Sequence, residues 1–316
     1  MPATLPDGFL WGTATAAHQV EGGNWNNDWW AFEHREGSPC AEPSGDACDQ
    51  YHRYRDDLAL LAGLGFGAYR FSVEWSRIEP EEGEFSAAAL DHYRRVLAAC
   101  HEHGLLPVVT YHHFTTPRWA AEDDGWTNPA IVDRFARFCE RTAAALGDLT
   151  GMACTINEPN VVSIIGYLVG VFPPGENDLG RYATANEHLI AAHAKAFEAI
   201  KAGPGDAPVG LTVSMSDWWV PEGSEAVLTD VRHMHEGQFL EAARDGDFVG
   251  VQAYSRTRLD GQGMPLGPEE GIEVLDMGYE YWPQALEVSI RHAVEVSRLP
   301  VYVTENGIGT TDDDQR

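Results

Sequence analysis

Seven short apolar runs rich in β-branched residues punctuate the chain, at residues 9–15, 67–73, 105–111, 152–157, 208–215, 248–254 and 300–306. Between them lie longer stretches whose apolar positions recur every three to four residues, at 51–64, 87–103, 129–146, 182–202, 234–244 and 282–297. The first kind of run reads as a strand buried on both faces, the second as a helix with one apolar face. Their alternation predicts a parallel sheet joined by helical crossovers. Seven such units exceed what one dinucleotide-binding half needs. A barrel buries the strands inside and the helices' apolar faces around them. The expected fold is therefore α/β, a (β/α)8 barrel forming one domain over residues 1–316.

Local punctuation agrees. Ser86 precedes a helical stretch and Gly104 follows it, the places for an N-cap and a C-terminal glycine. Pro174-Gly175 and Gly203-Pro204-Gly205 mark loops, and the Gly/Pro-rich residues 261–271 predict a long loop after the sixth strand. Eight strands close such a barrel, and the pattern supplies seven. The 11 residues after Glu305 are polar, NGIGTTDDDQR, and offer no eighth strand. The expectation is a barrel cut short after strand seven, with strands one and seven left as unpaired edges.

Composition narrows the function. Of 316 residues, 44% are hydrophobic and 22% charged, as in ordinary globular proteins. A net charge of −28 argues against nucleic acid and anionic membrane surfaces as partners, because both need clustered Lys and Arg. The ten Trp and 11 Tyr offer flat apolar faces suited to sugar rings as well as to cores. Cys40, Cys48, Cys100, Cys139 and Cys154 form no C-x-x-C pair, which fits reduced thiols and a cytoplasmic location. No signal peptide or membrane span is visible. His101/His103 and His233/His235 are i, i+2 pairs, and the first pair lies on a helix, where such residues share no face. The glycines of GLGFG (63–67) precede a strand instead of opening a helix. Neither a metal nor another cofactor is expected, the partner is expected to be a small molecule, and oligomeric state is left open.

Polar residues crowd the C-terminal ends of the strands: Arg70 and Glu74, His112-His113, Asn157-Glu158, Gln252 and Tyr254, and Glu305-Asn306. In a barrel these ends converge on one face. Two carboxylates across such a mouth suit glycoside hydrolysis, one donating a proton to the leaving oxygen and the other attacking or activating water. Their separation decides between retention and inversion, and a sequence carries no distance. Alone, His113 would read as a core histidine. His112 points the opposite way along the strand and reads as packing.

Five stretches then occur in order: FLWGTATAAHQVEG (9–22), YRFSVEWSRIEP (69–80), TYHHFTTPRW (110–119), TINEPN (155–160) and YVTENGIG (302–309). Together they resemble glycoside hydrolase family 1, the β-glucosidase family, over nearly the whole chain. NDWWAFE (27–33) and MGYEYWPQAL (277–286) fit as well. The resemblance implies a retaining β-glycosidase acting on terminal β-D-glucosides or related β-glycosides. It implies Glu158 as general acid/base, Glu305 as nucleophile and Asn157 as the contact to the sugar 2-hydroxyl. It implies Gln19 and His113, on strands one and three, as ligands of other hydroxyls, and Arg70 and Tyr254 as groups beside the nucleophile. On that reading Arg70 and Tyr254 hold Glu305 as the carboxylate, while Glu158 is the harder to ionise because it is desolvated and near that charge.

Two local departures stand out. Gln252-Ala253-Tyr254 replaces the family's frequent Asn-Tyr-Tyr, and Phe114 stands where many members have Trp. The family also continues with an eighth strand and helix carrying further sugar contacts. This chain alone is therefore expected to be poorly stable and weakly active. The alternative is an inactive fragment, at most a sugar-binding module.

Overall fold

The computed structural model describes residues 5–312, 314 and 315. Its strands are β1 (Gly12–Ala14), β2 (Ala68–Ser72), β3 (Leu106–His112), β4 (Met152–Asn157), β5 (Val209–Trp219), β6 (Phe248–Arg258) and β7 (Val301–Glu305). All pair in parallel with their sequence neighbours, in the order β1 to β7. Each predicted run holds one strand. The main crossover helices are Gln50–Gly63, Ala87–Glu102, Ile131–Leu146, Leu179–Lys201 and Gln284–Ser297, with a broken helix from Glu225 to Ala242 between β5 and β6.

The helix boundaries have local causes. Ser86 Oγ accepts from the Ala89 amide at 3.2 Å, satisfying one of the first-turn donors. Gly104 takes φ +70° just past the same helix, where a side chain would be strained. The Asp178 carboxylate caps the helix Leu179–Lys201 through the amides of Gly180 and Arg181.

Alternation along the strands sorts the core into two parts. Tyr69, Phe71, Val109, Tyr111, Ala153, Ile156, Leu211, Val213, Val249 and Val251 belong to the large cluster shared with the helices. Val108, Met152, Cys154 and Phe248 form a smaller cluster that plugs the barrel floor. Above that floor the inward positions turn polar, beginning with Arg70 and Thr110.

The barrel is nearly closed. Cα atoms of β1 and β7 come within 8 Å, but the two strands do not pair, and no eighth strand occurs among the described residues. Tyr302 and Val303 on β7, and Phe9, Leu10 and Trp11 around β1, are exposed. The longer β5 and β6 continue beyond the barrel mouth, pairing Asp217 with Arg256 and Trp219 with Arg258. All five cysteines are free thiols. No helix among the described residues is long and apolar enough to cross a membrane.

Candidate active site

The strand ends converge at the C-terminal mouth on a closed set of hydrogen bonds. Arg70 on β2 is 4% exposed and donates through Nη1 to Glu305 Oε1 at 2.5 Å and through Nη2 to Asn157 Oδ1 at 2.6 Å. Its Nε donates to Thr110 Oγ1 on β3 at 3.0 Å. Gln252 on β6 reaches the same two oxygens, with Nε2 2.8 Å from Asn157 Oδ1 and 2.9 Å from Glu305 Oε1. Tyr254 donates to the other oxygen of Glu305 at 2.6 Å. Glu305 therefore accepts from a guanidinium, an amide and a phenol at once.

This ring of donors also orients Asn157. Its Oδ1 accepts from Arg70, Gln252 and, at 3.3 Å, Thr212 Oγ1. With three donors aimed at one atom, that atom must be the oxygen. The amide nitrogen is thereby turned away, buried and without a partner. Gln252 Oε1 and His113 Nδ1 are likewise buried and unpaired. Orphaned buried polar atoms are uncommon, and here three occur where β3, β4 and β6 reach the barrel mouth.

Glu158 follows β4 in a left-handed backbone conformation, φ 44° and ψ 61°, a strained position for a residue with a side chain. It caps the short helix Pro159–Ser163, and Pro159 occupies the first helical position, where a missing N–H costs nothing. Burial, and after it the negative charge of Glu305, pushes the Glu158 carboxyl from its ordinary 4.5 up to about 8. The Ser214 hydroxyl and the charge of Arg70 oppose that rise. Burial, reinforced by Arg70, keeps His113 far below its ordinary value and hence neutral. Burial and the Glu305 charge push Tyr254 well above the ordinary phenol range, so it stays a donor.

Six of the seven expected residues thus meet at the mouth. Arg70, Asn157, Tyr254 and Glu305 are directly bonded, Glu158 is coupled to Glu305 by charge, and His113 is coupled to Arg70 in the same way. Two placements differ in detail from the strand positions expected. Gln19 lies past β1, on the short helix Ala17–Val20, and is exposed. His113 lies one residue past β3. His112 faces outward, its ring edge-on to Trp126 at 5.0 Å. Its nitrogens are also unpaired, but they are boxed by rings and not beside the carboxylates. Thr212 and Ser214 were not singled out as site residues, and Gln252 was named as a strand-end polar residue without a role. Their signal was a polar side chain inside an otherwise apolar strand run.

A barrel whose mouth holds a donor-saturated carboxylate beside a second, hard-to-ionise carboxyl is the layout of a glycoside hydrolase. The chain belongs to glycosyl hydrolase family 1, whose profile matches residues 1–265. It is 32% identical to beta-glucosidase A of Thermotoga maritima, over 98% of this chain and 79% of that protein. The solved structure of beta-glycosidase BGL167 superposes with a TM-score of 0.91 at 49% identity, covering 99% of this chain and 80% of that one. The Thermotoga maritima beta-glucosidase in complex with deoxynojirimycin gives 0.90 at 29% identity, covering 99% and 81%.

Proposed function

We infer that the chain is a retaining β-glycosidase for terminal β-D-glucosides or close relatives, with Glu158 as general acid/base and Glu305 as nucleophile. The observation that carries this reading is the orphaned amide of Asn157, held beside Glu305 by donors that saturate its oxygen. A sugar 2-hydroxyl is the acceptor that amide lacks, and the bond strengthens as charge develops at the adjacent anomeric carbon. His113 and Gln19 take other ring hydroxyls, and Arg70 and Tyr254 hold Glu305 in line for attack. That a relative has been solved with deoxynojirimycin, a sugar-like ring, supports a pocket of this kind.

In the first step Glu305 attacks C1 while Glu158 gives its proton to the departing oxygen. Forming the glycosyl ester removes the charge of Glu305, the second cause of the raised Glu158 value. Glu158, left as the carboxylate by that proton transfer, then takes a proton from the incoming water as its oxygen attacks C1 and the bond to Glu305 breaks. Proton NMR of the first sugar released tests this reading. Retention predicts the β-anomer before mutarotation; initial α-anomer contradicts it.

A second reading has its own observation. β1 and β7 do not pair, and Gln19 is exposed. On that reading the chain binds sugar without turnover. Calorimetric binding of deoxynojirimycin with no hydrolysis of an aryl β-glucoside would favour it.

A further inference from the structure

Where β4 ends, the ladder to β5 does not. Asn157 pairs with Thr212, and the Glu158 amide donates to the Thr212 carbonyl at 3.0 Å. In a parallel ladder the next partners would be the Ser214 amide with the Glu158 carbonyl, then an Asn160 amide with the Ser214 carbonyl. Neither backbone group takes that part. The Glu158 carbonyl instead accepts from the amides of Val161 and Val162, at 2.9 and 3.1 Å, because the helix has begun. The Asn160 carboxamide fills the gap. Its Oδ1 accepts from the Ser214 amide at 3.3 Å and its Nδ2 donates to the Ser214 carbonyl at 2.8 Å. Asn160 is 3% exposed, so its carboxamide holds Ser214 with little competition from water.

This substitution has a consequence for the chemistry. Asn160 lies two residues past Glu158, in the turn whose Val161 and Val162 amides hold the Glu158 carbonyl. Asn160 therefore ties the turn bearing Glu158 to the strand bearing Ser214, across a residue held in the left-handed region. Without that tie, a residue at φ 44° has reason to relax, and its carboxyl would move with it. We propose that Asn160 is a positioning residue: its carboxamide stands in for the missing peptide groups of β4, and by fixing the turn after β4 to the β5 backbone it aims the Glu158 carboxyl at the leaving-group oxygen. This deepens the reading of Glu158 as the acid and rests on it.

The test compares the whole chain with Asn160→Leu and Glu158→Ala. Leucine keeps the volume and removes the carboxamide. The readout is kcat/KM for phenyl β-glucoside, whose leaving group needs a proton, against 2,4-dinitrophenyl β-glucoside, whose leaving group does not. Asn160→Leu is expected to lower the first about tenfold to a hundredfold, part of what a general acid supplies, and the second less than about threefold. Equal losses on both substrates would overturn the proposal.

A second measurement needs no turnover. In chain labelled with 13C at glutamate carboxyls, the Glu158 signal is identified by its absence in Glu158→Gln. Moving the carboxyl off its buried seat should lower its titration in Asn160→Leu, because burial is the first cause of its raised value, and an unmoved titration overturns the proposal. If Glu158→Ala treats the two glucosides alike, the assignment of Glu158 as the acid itself falls.

Discussion

Arg70 and Glu305 stand 235 positions apart and form a 2.5 Å ion pair at the barrel mouth, bridging β2 to β7. The guanidinium also reaches Asn157 and Thr110, so one side chain ties four strands. Arg70→Met should therefore cost stability as well as chemistry. Removing one partner of a buried pair costs about 3–5 kcal/mol, mostly for the charge left behind. Urea unfolding monitored by tryptophan fluorescence measures it. Arg70→Lys should recover little, because an ammonium cannot span two acceptors in one plane.

Glu158 should make the protein less stable as it gains charge. Its value is raised from 4.5 to about 8 by folding, so between those two pH values the folded chain holds a proton that the unfolded chain has released. The stabilisation from that proton is complete below pH 4.5 and is lost as pH rises through about 8. Glu158→Gln removes the titration. Its melting temperature should exceed that of the parent chain by a margin that grows between pH 5.5 and 8.5. A margin independent of pH would contradict the assignment.

Activity should follow the same group. Hydrolysis of a glucoside with a poor leaving group needs Glu158 protonated, so the basic limb of kcat/KM is expected near pH 8. With 2,4-dinitrophenyl β-glucoside that limb should be weak or absent. Rate profiles of the two substrates side by side check this.

His112 and His113 are neighbours with opposite faces. His113→Ala should raise KM about tenfold with little change in stability, because it removes a contact to substrate. His112→Ala should leave KM alone and cost roughly 2 kcal/mol, because it opens the packing against Trp126 and Phe135. Steady-state kinetics and denaturation on both variants separate the two roles.

The exposed side chains of β7 have their own consequence. Tyr302 and Val303 lie on a strand with one free edge. Val303→Lys should reduce light scattering on heating, since charge on an unpaired edge opposes edge-to-edge pairing.

Much of this architecture was legible in the sequence because parallel strands in a barrel are buried on both faces. That is why β4 could be read residue for residue from MACTIN. Legibility failed where that physics stops applying. β5 and β6 run on to Trp219 and Arg258 above the mouth, where they pair through polar residues such as Asp217 and Arg256. The helical segment before β6 begins at Glu225, earlier than its apolar period suggests, and passes through a π-helical turn at His233–Gly237 that breaks the 3.6-residue spacing. Within the site, the carboxylates and their flanking motifs were visible in sequence. The part played by Gln252 was not, because the two oxygens it shares with Arg70 are brought together only by the barrel. Asn160 was hidden for a related reason: its side chain does the work of backbone, and no residue pattern signals that.

The central claim is that Glu305 attacks the sugar. Incubating the chain with 2,4-dinitrophenyl 2-deoxy-2-fluoro-β-D-glucoside, then weighing the intact protein and its peptides, tests it directly. The account predicts one 2-deoxy-2-fluoroglucosyl group per chain, on the peptide carrying Glu305 and lost in Glu305→Gln. A label on another residue, or retained in Glu305→Gln, would contradict it.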